Sequence, residues 1–326
     1  MSRLVKDGHA VRLLVRSPSR IIQAFTPLGL DTSKLEVVQG DVTDQESICK
    51  ALDGMESVIH IASVYSMDKR RANEINVTNR KGAEIVLNEA CRVGLDPIIH
   101  VSSITAVLSP EVGEFISPQS PPTPVSIGAY TDSKTAQEIF ARHLQSVGYP
   151  VVTVYPGAVM GPYDPHWGDG TRLIESILNN KVRLAVEGHV PIVDVRDLAR
   201  LHSAIMAPGL GPRRFMCSGT SIKISDIVAL LGYLTGRKIN CTTVPTWMIS
   251  PIVNLMDKCQ GLLPFRLPVT AEGLTILKWG FKFDNSISMG CFGIKKTDLS
   301  TTMSDMVEWM HLTGRISAKI AGSLIQ

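Results

Sequence analysis

Residues able to do chemistry concentrate in one short stretch, "GAYTDSKTAQE", where Tyr130 and Lys134 stand at i and i+4. On a helix that spacing puts both side chains on one face. A tyrosine hydroxyl, with an ordinary pKa of about 10, is a poor base at neutral pH. An adjacent ammonium stabilises the phenolate and makes proton exchange with a carbinol or carbonyl oxygen feasible. Alone, a tyrosine and a lysine four apart usually mark a solvated helix face. Upstream, "IIHVSSITAV" ends an apolar run in Ser102 and Ser103, which places them at the carboxyl edge where ligands of open α/β sheets bind. A serine there can donate a hydrogen bond to a substrate oxygen, or simply end the strand and open a turn.

The elements that must position these residues are legible as alternation. "AVRLLVR", "LEVVQGDV", "SVIHIAS", "PIIHVSSI" and "VVTVYPGAV" are near-continuous apolar runs, as expected of strands covered on both faces. Between them lie amphipathic stretches such as "DQESICKALDGM", opening on a cap at Asp44, and "RKGAEIVLNEACRVG", stopping at Gly94. Strand–helix–strand alternation predicts a doubly wound parallel sheet. It fades after about residue 165 and returns in "PIVDVRDLARLHSAIM". Residues 1–165 with about 188–206 are therefore expected to form one domain. Residues 166–187 and 207–326 are expected to form a smaller substrate-binding lobe. The Pro-rich stretch Ser109 to Pro124 reads as a loop beside the candidate site.

Composition narrows the function classes. The chain has 326 residues, 44% of them hydrophobic and 19% charged, enough for a substantial core. A net charge of +3 from scattered basic residues argues against a nucleic-acid partner. Cys49, Cys91, Cys217, Cys241, Cys259 and Cys291 are far apart, with no metal-ligand spacing. They read as reduced packing thiols of a cytoplasmic protein, with no metal site. No apolar run reaches the roughly 20 residues that span a bilayer. The nearest, Val244 to Met256, is broken by Pro251; it reads as a buried or substrate-lining segment, the alternative being contact with a membrane surface.

In combination the motifs resemble an extended short-chain dehydrogenase/reductase of the NAD-dependent epimerase/dehydratase superfamily. The branch most resembled contains dihydroflavonol-reductase-like and 3β-hydroxysteroid-dehydrogenase-like enzymes. The matching stretches are "GHAVRLLVR", "GDVTD", "VIHIAS", "HVSSI", "YTDSK" followed by Glu138, "YPGAVMGP" and "VDVRDLA", covering about residues 2–205. The resemblance implies an α/β, Rossmann-like doubly wound sheet with a smaller C-terminal substrate-binding lobe. It implies Tyr130 as general acid/base, Lys134 on the nicotinamide ribose lowering the tyrosine pKa, and Ser103 on the substrate oxygen. By the same resemblance Asp41 and Val42 meet the adenine, Ala62 lines the cofactor, and Pro156 to Val159 lie near the carboxamide. A family asparagine falls on either Asn76 or Asn79, and the sequence leaves the choice open. A homodimer is a further implication of the resemblance alone.

Arg16, with Arg20 and no acid beside it in "LLVRSPSR", favours NADP over NAD, because an arginine there accommodates the 2′-phosphate. Surface cations after a strand are the plainer reading. No Arg-Asp-Phe/Tyr-Val pattern of sugar-nucleotide members precedes "VDVRDLA". Trp247, Met248, Ile252, Leu255 and Met256 suggest instead a hydrophobic alcohol or ketone, steroid-like or flavonoid-like. The alternatives are a sugar-nucleotide epimerase/dehydratase, or a non-catalytic truncated relative acting as a binding module.

The opening "MSRLVKDGHAVRLLVR" reads as the tail of a helix followed by the second strand of a Rossmann unit. The first strand and its glycine-rich turn, which lets a pyrophosphate approach a helix N-terminus, have no match in the 326 residues. They amount to roughly 15–20 residues. Three accounts follow: a chain starting upstream of Met1, which is preferred; a truncated product; or a folded, non-catalytic relative. Each buried edge group orphaned by a missing central strand costs about 1–3 kcal/mol, and dinucleotide binding by these residues is expected to be very weak.

Overall fold

A computed structural model describes residues 1–108, 115–260, 269–285, 288 and 290–325. The first half runs α1 (Ser2–Lys6), β1 (Arg12–Val15), α2 (Ser19–Phe25), β2 (Glu36–Gln39), α3 (Gln45–Leu52), β3 (Val58–His60), α4 (Ala72–Ile75), α5 (Gly82–Val93), β4 (Ile98–Val101), β5 (Phe115–Ile116), α6 (Ala129–Ser146) and β6 (Val151–Pro156). The second half adds β7 (Ala158–Met160), α7 (Asp169–Leu178), β8 (Leu184–Val186), β9 (His189–Asp194), α8 (Val195–Ala204), β10 (Arg213–Cys217), β11 (Thr220–Lys223) and α9 (Ile224–Thr235). It closes with β12 (Thr242–Val244), α10 (Thr246–Lys258), α11 (Ala271–Trp279), β13 (Lys282–Phe283), α12 (Leu299–Leu312) and α13 (Ala318–Ala321).

The expected boundaries have local causes. Asp44 accepts hydrogen bonds from the amides of Glu46 and Ser47 and so starts α3. Gly94, at φ +77°, ends α5 in the left-handed conformation that glycine adopts without penalty. Strand β1 pairs with β2, and β3, β4, β6 and β10 pair in that order, every pairing parallel. This is a doubly wound sheet in two pieces: among the described residues no strand lies between β1 and β3. One helical layer covers both pieces. Leu14, Val58, Ile98 and Val151 pack beneath Ile48 and Leu52 of α3, Val86 and Leu87 of α5 and Leu144 of α6. Their neighbours Ile99, Val152 and Val154 point the other way, toward Leu201 of α8 and Phe215.

A second core joins α7, α9 and α12 through Ile174, Ile177, Leu231, Met306 and Val307. Two sequence expectations change here. Arg213–Cys217, assigned to the second lobe, pairs with β6 and extends the first sheet; its two leading arginines disguise a strand that buries only Phe215, Met216 and Cys217. The apolar stretch expected to be buried or to line a substrate pocket is α10, which exposes Trp247 (75%), Met248, Ile252, Leu255 (66%) and Met256, and buries Val253. Apolar composition does not say which face of a helix finds a cover. Of the loop expected over Ser109 to Pro124, residues 109–114 lie outside the described residues, and Phe115–Ile116 form a short strand paired with β13. No helix among the described residues is long and apolar enough to cross a membrane.

His60 of β3 and His100 of β4 occupy paired positions, with nearly parallel rings 5.9 Å apart. Both are buried, and burial holds the His60 imidazole down at about 3 and lowers His100 well below its ordinary value, with Lys134 adding to both effects. Both are neutral when folded. Unfolding frees them to take up protons at the ordinary value of about 6.5, so stability is lost as pH falls below that value. We expect a loss of about 2 kcal/mol per imidazole between pH 7 and pH 5, read as a falling urea midpoint; a constant midpoint would contradict it.

Candidate functional site

Within each piece of the doubly wound sheet the strands run parallel, so the residues that follow them gather at their carboxyl ends. Arg16 follows β1, Asp41 and Val42 follow β2, Ala62 follows β3, Ser103 follows β4, and Pro156 ends β6. Tyr130 and Lys134 reach the same edge from the first turns of α6. Ser103 opens a short helical turn, accepting from the Thr105 amide at 3.2 Å and the Thr105 hydroxyl at 3.0 Å. Its side chain also lies close enough to the Tyr130 hydroxyl to favour the phenolate, against the larger effect of burial. Lys134 donates to the Val101 carbonyl at 3.3 Å, beneath the tyrosine. The structure thus brings Ser103, Tyr130 and Lys134 together, whereas Ser102 turns away and donates to Glu138.

Each of these groups is nearly closed to solvent, Tyr130 at 8% and Lys134 at 3% exposure. Burial raises the Tyr130 phenol well above its ordinary value, helped by Tyr65. Burial lowers the Lys134 ammonium to about 8. Sequence reasoning assigned the ammonium a lowering effect on the phenol; in this closed arrangement desolvation dominates. Tyr65 meets Tyr130 edge-on, ring centroids 4.9 Å apart. An open groove of about 880 Å³ between α1, α8 and residues 292–298 includes none of these side chains.

The two candidate asparagines are set apart by a turn of π-helix over Asn76–Lys81, between α4 and α5. A π-turn alters which side chains face inward. Asn79 is buried and Asn76 exposed. Asn79 accepts from the Val64 amide at 2.7 Å and donates to the Val64 carbonyl at 3.1 Å and the Ser133 hydroxyl at 3.0 Å. It ties the segment after β3 to α6. Sequence reasoning missed Tyr65 and Glu272 altogether; the buried Glu272 carboxylate accepts from the amide and hydroxyl of Thr131.

The remaining expected positions are more varied. Asp41 is engaged locally, accepting from the Thr43 amide and hydroxyl. Val42 packs against Gly82, where a Cβ would come within 2.9 Å of it. Arg16, Ala62 and Val159 are exposed, and Pro156 is buried. Gly157 permits the close crossing after β6, since a Cβ there would lie 2.3 Å from the Ser218 carbonyl and 2.5 Å from that of Pro191.

Residues 1–217 match the NAD dependent epimerase/dehydratase family. The chain belongs to this family. Its members are NAD(P)-dependent oxidoreductases and epimerases. The chain is 27% identical over 320 residues to sterol demethylase protein B of Methylococcus capsulatus, covering 96% of this chain and 94% of that protein. It is also 27% identical over 217 residues to 3 beta-hydroxysteroid dehydrogenase/Delta 5-->4-isomerase of Mycobacterium tuberculosis, covering 63% of this chain and 52% of that protein. The enzyme WbmG of Bordetella bronchiseptica, solved in complex with NAD and UDP, shares the fold with a TM-score of 0.71 at 20% identity, covering 98% of this chain and 93% of that one.

The edge suits the two ends of a dinucleotide. Arg16 offers an exposed cation at one end. At the other, the Lys134 ammonium has three donors and one carbonyl acceptor among the described hydrogen bonds. A glycine-rich turn to cradle the pyrophosphate is not among the described residues.

Replacing Asn79 with alanine leaves the Val64 amide and carbonyl unpaired, at about 1–3 kcal/mol for each buried group. Asn76→Ala, at an exposed position, should stay within about 0.5 kcal/mol of the parent. Urea unfolding of the two variants checks this, and equal midpoints would refute the assignment.

Proposed function

We propose that the chain interconverts a hydroxyl and a ketone on a small hydrophobic substrate, steroid-like or flavonoid-like, with NADP as the redox partner. The observation that carries this reading is the placing of Ser103, the Tyr130 hydroxyl that it acts on, and Lys134 together at the carboxyl end of β4, with Lys134 one helical turn beyond Tyr130 along α6. Both lone pairs of Ser103 are engaged by Thr105, which leaves its own hydrogen to donate. A substrate oxygen seated between Ser103 and Tyr130 receives that hydrogen bond. A bound nicotinamide supplies or accepts the hydride at the neighbouring carbon. In the reducing direction Tyr130 gives its proton to the developing alkoxide, a role suited to a phenol kept protonated by burial. In the oxidising direction the phenol must first release its own proton to solvent, and the phenolate, with Lys134 as the nearby cation, then takes the proton of the alcohol. A Lys134 pKa of about 8 keeps most of that charge at pH 7.

Arg16 supports NADP, because its exposed guanidinium ends β1 on the side that recognises the adenosine ribose. The steroid-type names of the two relatives support the substrate class. Assayed with a panel of hydrophobic ketones and with NADPH or NADH at concentrations high enough to offset very weak dinucleotide binding, the purified chain should turn over steroid-like or flavonoid-like members. Tyr130→Phe should lower kcat by about a hundredfold or more, with dinucleotide binding unchanged. NADPH should bind more tightly than NADH, and Arg16→Ser should narrow that difference. Turnover confined to nucleotide sugars, or a fully active Tyr130→Phe variant, would overturn the reading; NADH binding as tight as NADPH would overturn the cofactor choice.

A further inference from the structure

We propose that Glu272 is a positioning residue for Tyr130, holding the first turn of α6 from a helix far away in the chain. This rests on the reading of Tyr130 as the acid/base. Helix α6 starts at Ala129 with Gly128 before it and has no capping side chain of its own. The first amides of a helix need acceptors from elsewhere. Glu272 supplies one: its Oε1 accepts from the Thr131 amide and the Thr131 hydroxyl, both at 2.7 Å, across 141 residues of sequence. The Tyr130 amide lies next to the same carboxylate.

Gly128 makes the approach possible. A Cβ at that position would stand 2.2 Å from Glu272 Oε2. Its φ of 172° is extended backbone open to any residue, so glycine is required there for space. The acceptor side is equally fixed. Thr270 caps α11 by accepting from the Gly273 amide at 3.2 Å, which sets Glu272 in the first turn of that helix. Glu272 is 6% exposed, and burial raises its carboxyl above the ordinary value while the Thr131 donors oppose that shift; the charge it carries meets the amides at the positive end of α6 with little screening by water.

A purely scaffolding role is already filled. Glu138 and Arg142 anchor the middle of α6, while the described hydrogen bonds of Glu272 go to Thr131 in its first turn. Displacing a reacting group by about 1 Å can cost about a hundredfold in rate.

The test uses the full chain and the variants Glu272→Ala, Glu272→Gln and Gly128→Ala. Kinetics are measured with the panel substrate that turns over, and amide hydrogen exchange is measured along α6. Glu272→Ala should lower kcat about 10–100-fold, with KM and dinucleotide affinity unchanged. Exchange at Tyr130 and Thr131 should accelerate at least about tenfold, with Gln137 to Arg142 unaffected. Glu272→Gln keeps an acceptor for Thr131 and should recover part of the loss. Gly128→Ala should reproduce it by pushing the carboxylate away. Full kcat in Glu272→Ala beside an inactive Tyr130→Phe would overturn this inference alone. A fully active Tyr130→Phe would overturn the function reading instead. Where no substrate turns over, unchanged exchange at Tyr130 and Thr131 overturns the inference, and local acceleration supports it. Acceleration along the whole of α6 would mark Glu272 as structural only.

Discussion

The Glu138 carboxylate, wholly withdrawn from solvent, receives Arg142 Nε at 2.5 Å, the Tyr155 hydroxyl at 2.6 Å and the Ser102 hydroxyl at 3.3 Å. Desolvation offsets much of what such a pair gains, so its contribution to net stability is small. Its consequence is geometric. Tyr130, Lys134, Glu138 and Arg142 follow one another at intervals of four, a single stripe along α6. Fixing Glu138 against β4 and β6 fixes the rotation of the helix about its axis. That rotation decides whether Tyr130 and Lys134 reach the carboxyl edge of the sheet. Removing either partner would leave a buried charge uncompensated, which makes any other rotation costly.

At the open end of the stripe the electrostatics run in a different direction. Burial favours neutral forms, so it raises the phenol and lowers the ammonium. The helix therefore carries one group prepared to hold a proton and another that releases its own within reach of physiological pH. The i, i+4 spacing reveals that the two can act together. It cannot reveal which of charge proximity and desolvation prevails, because that depends on Tyr65, Glu272 and the packing around them.

This difference marks the limit of what the sequence made legible. Local signals were sufficient where the cause is local: Asp44 and Gly94 bound their helices as read, and the apolar runs became parallel strands. Ser103 was distinguishable from Ser102 only through the family resemblance. Asn79 could not be separated from Asn76, because a regular helical count gives no warning of a π-turn. Glu272 left no signal at all, since its partner lies 141 residues away. Strand β10 was hidden by its arginines, and the exposure of α10 by its apolar composition. In both cases the deciding quantity was the neighbour, which periodicity along one segment does not encode.

The split sheet divides the site along the same line. Ser103, Tyr130, Lys134 and the Glu138 cluster belong to the piece built on β3, β4, β6 and β10, where each strand is hydrogen-bonded to the next. Arg16 follows the separate pair β1–β2, with Asp41 and Val42 just beyond it. That pair is joined to the rest by packing under α3 and by Arg12, which donates to the carbonyls of Ala51 and Asp53. Side-chain packing and two hydrogen bonds hold a strand less rigidly than a continuous ladder does. On the proposed reading, proton-transfer geometry is set by the continuous piece of the fold, and discrimination between dinucleotides by the piece attached to it. Loosening β1 and β2 should erode cofactor recognition first and leave the tyrosine, serine and lysine where they stand.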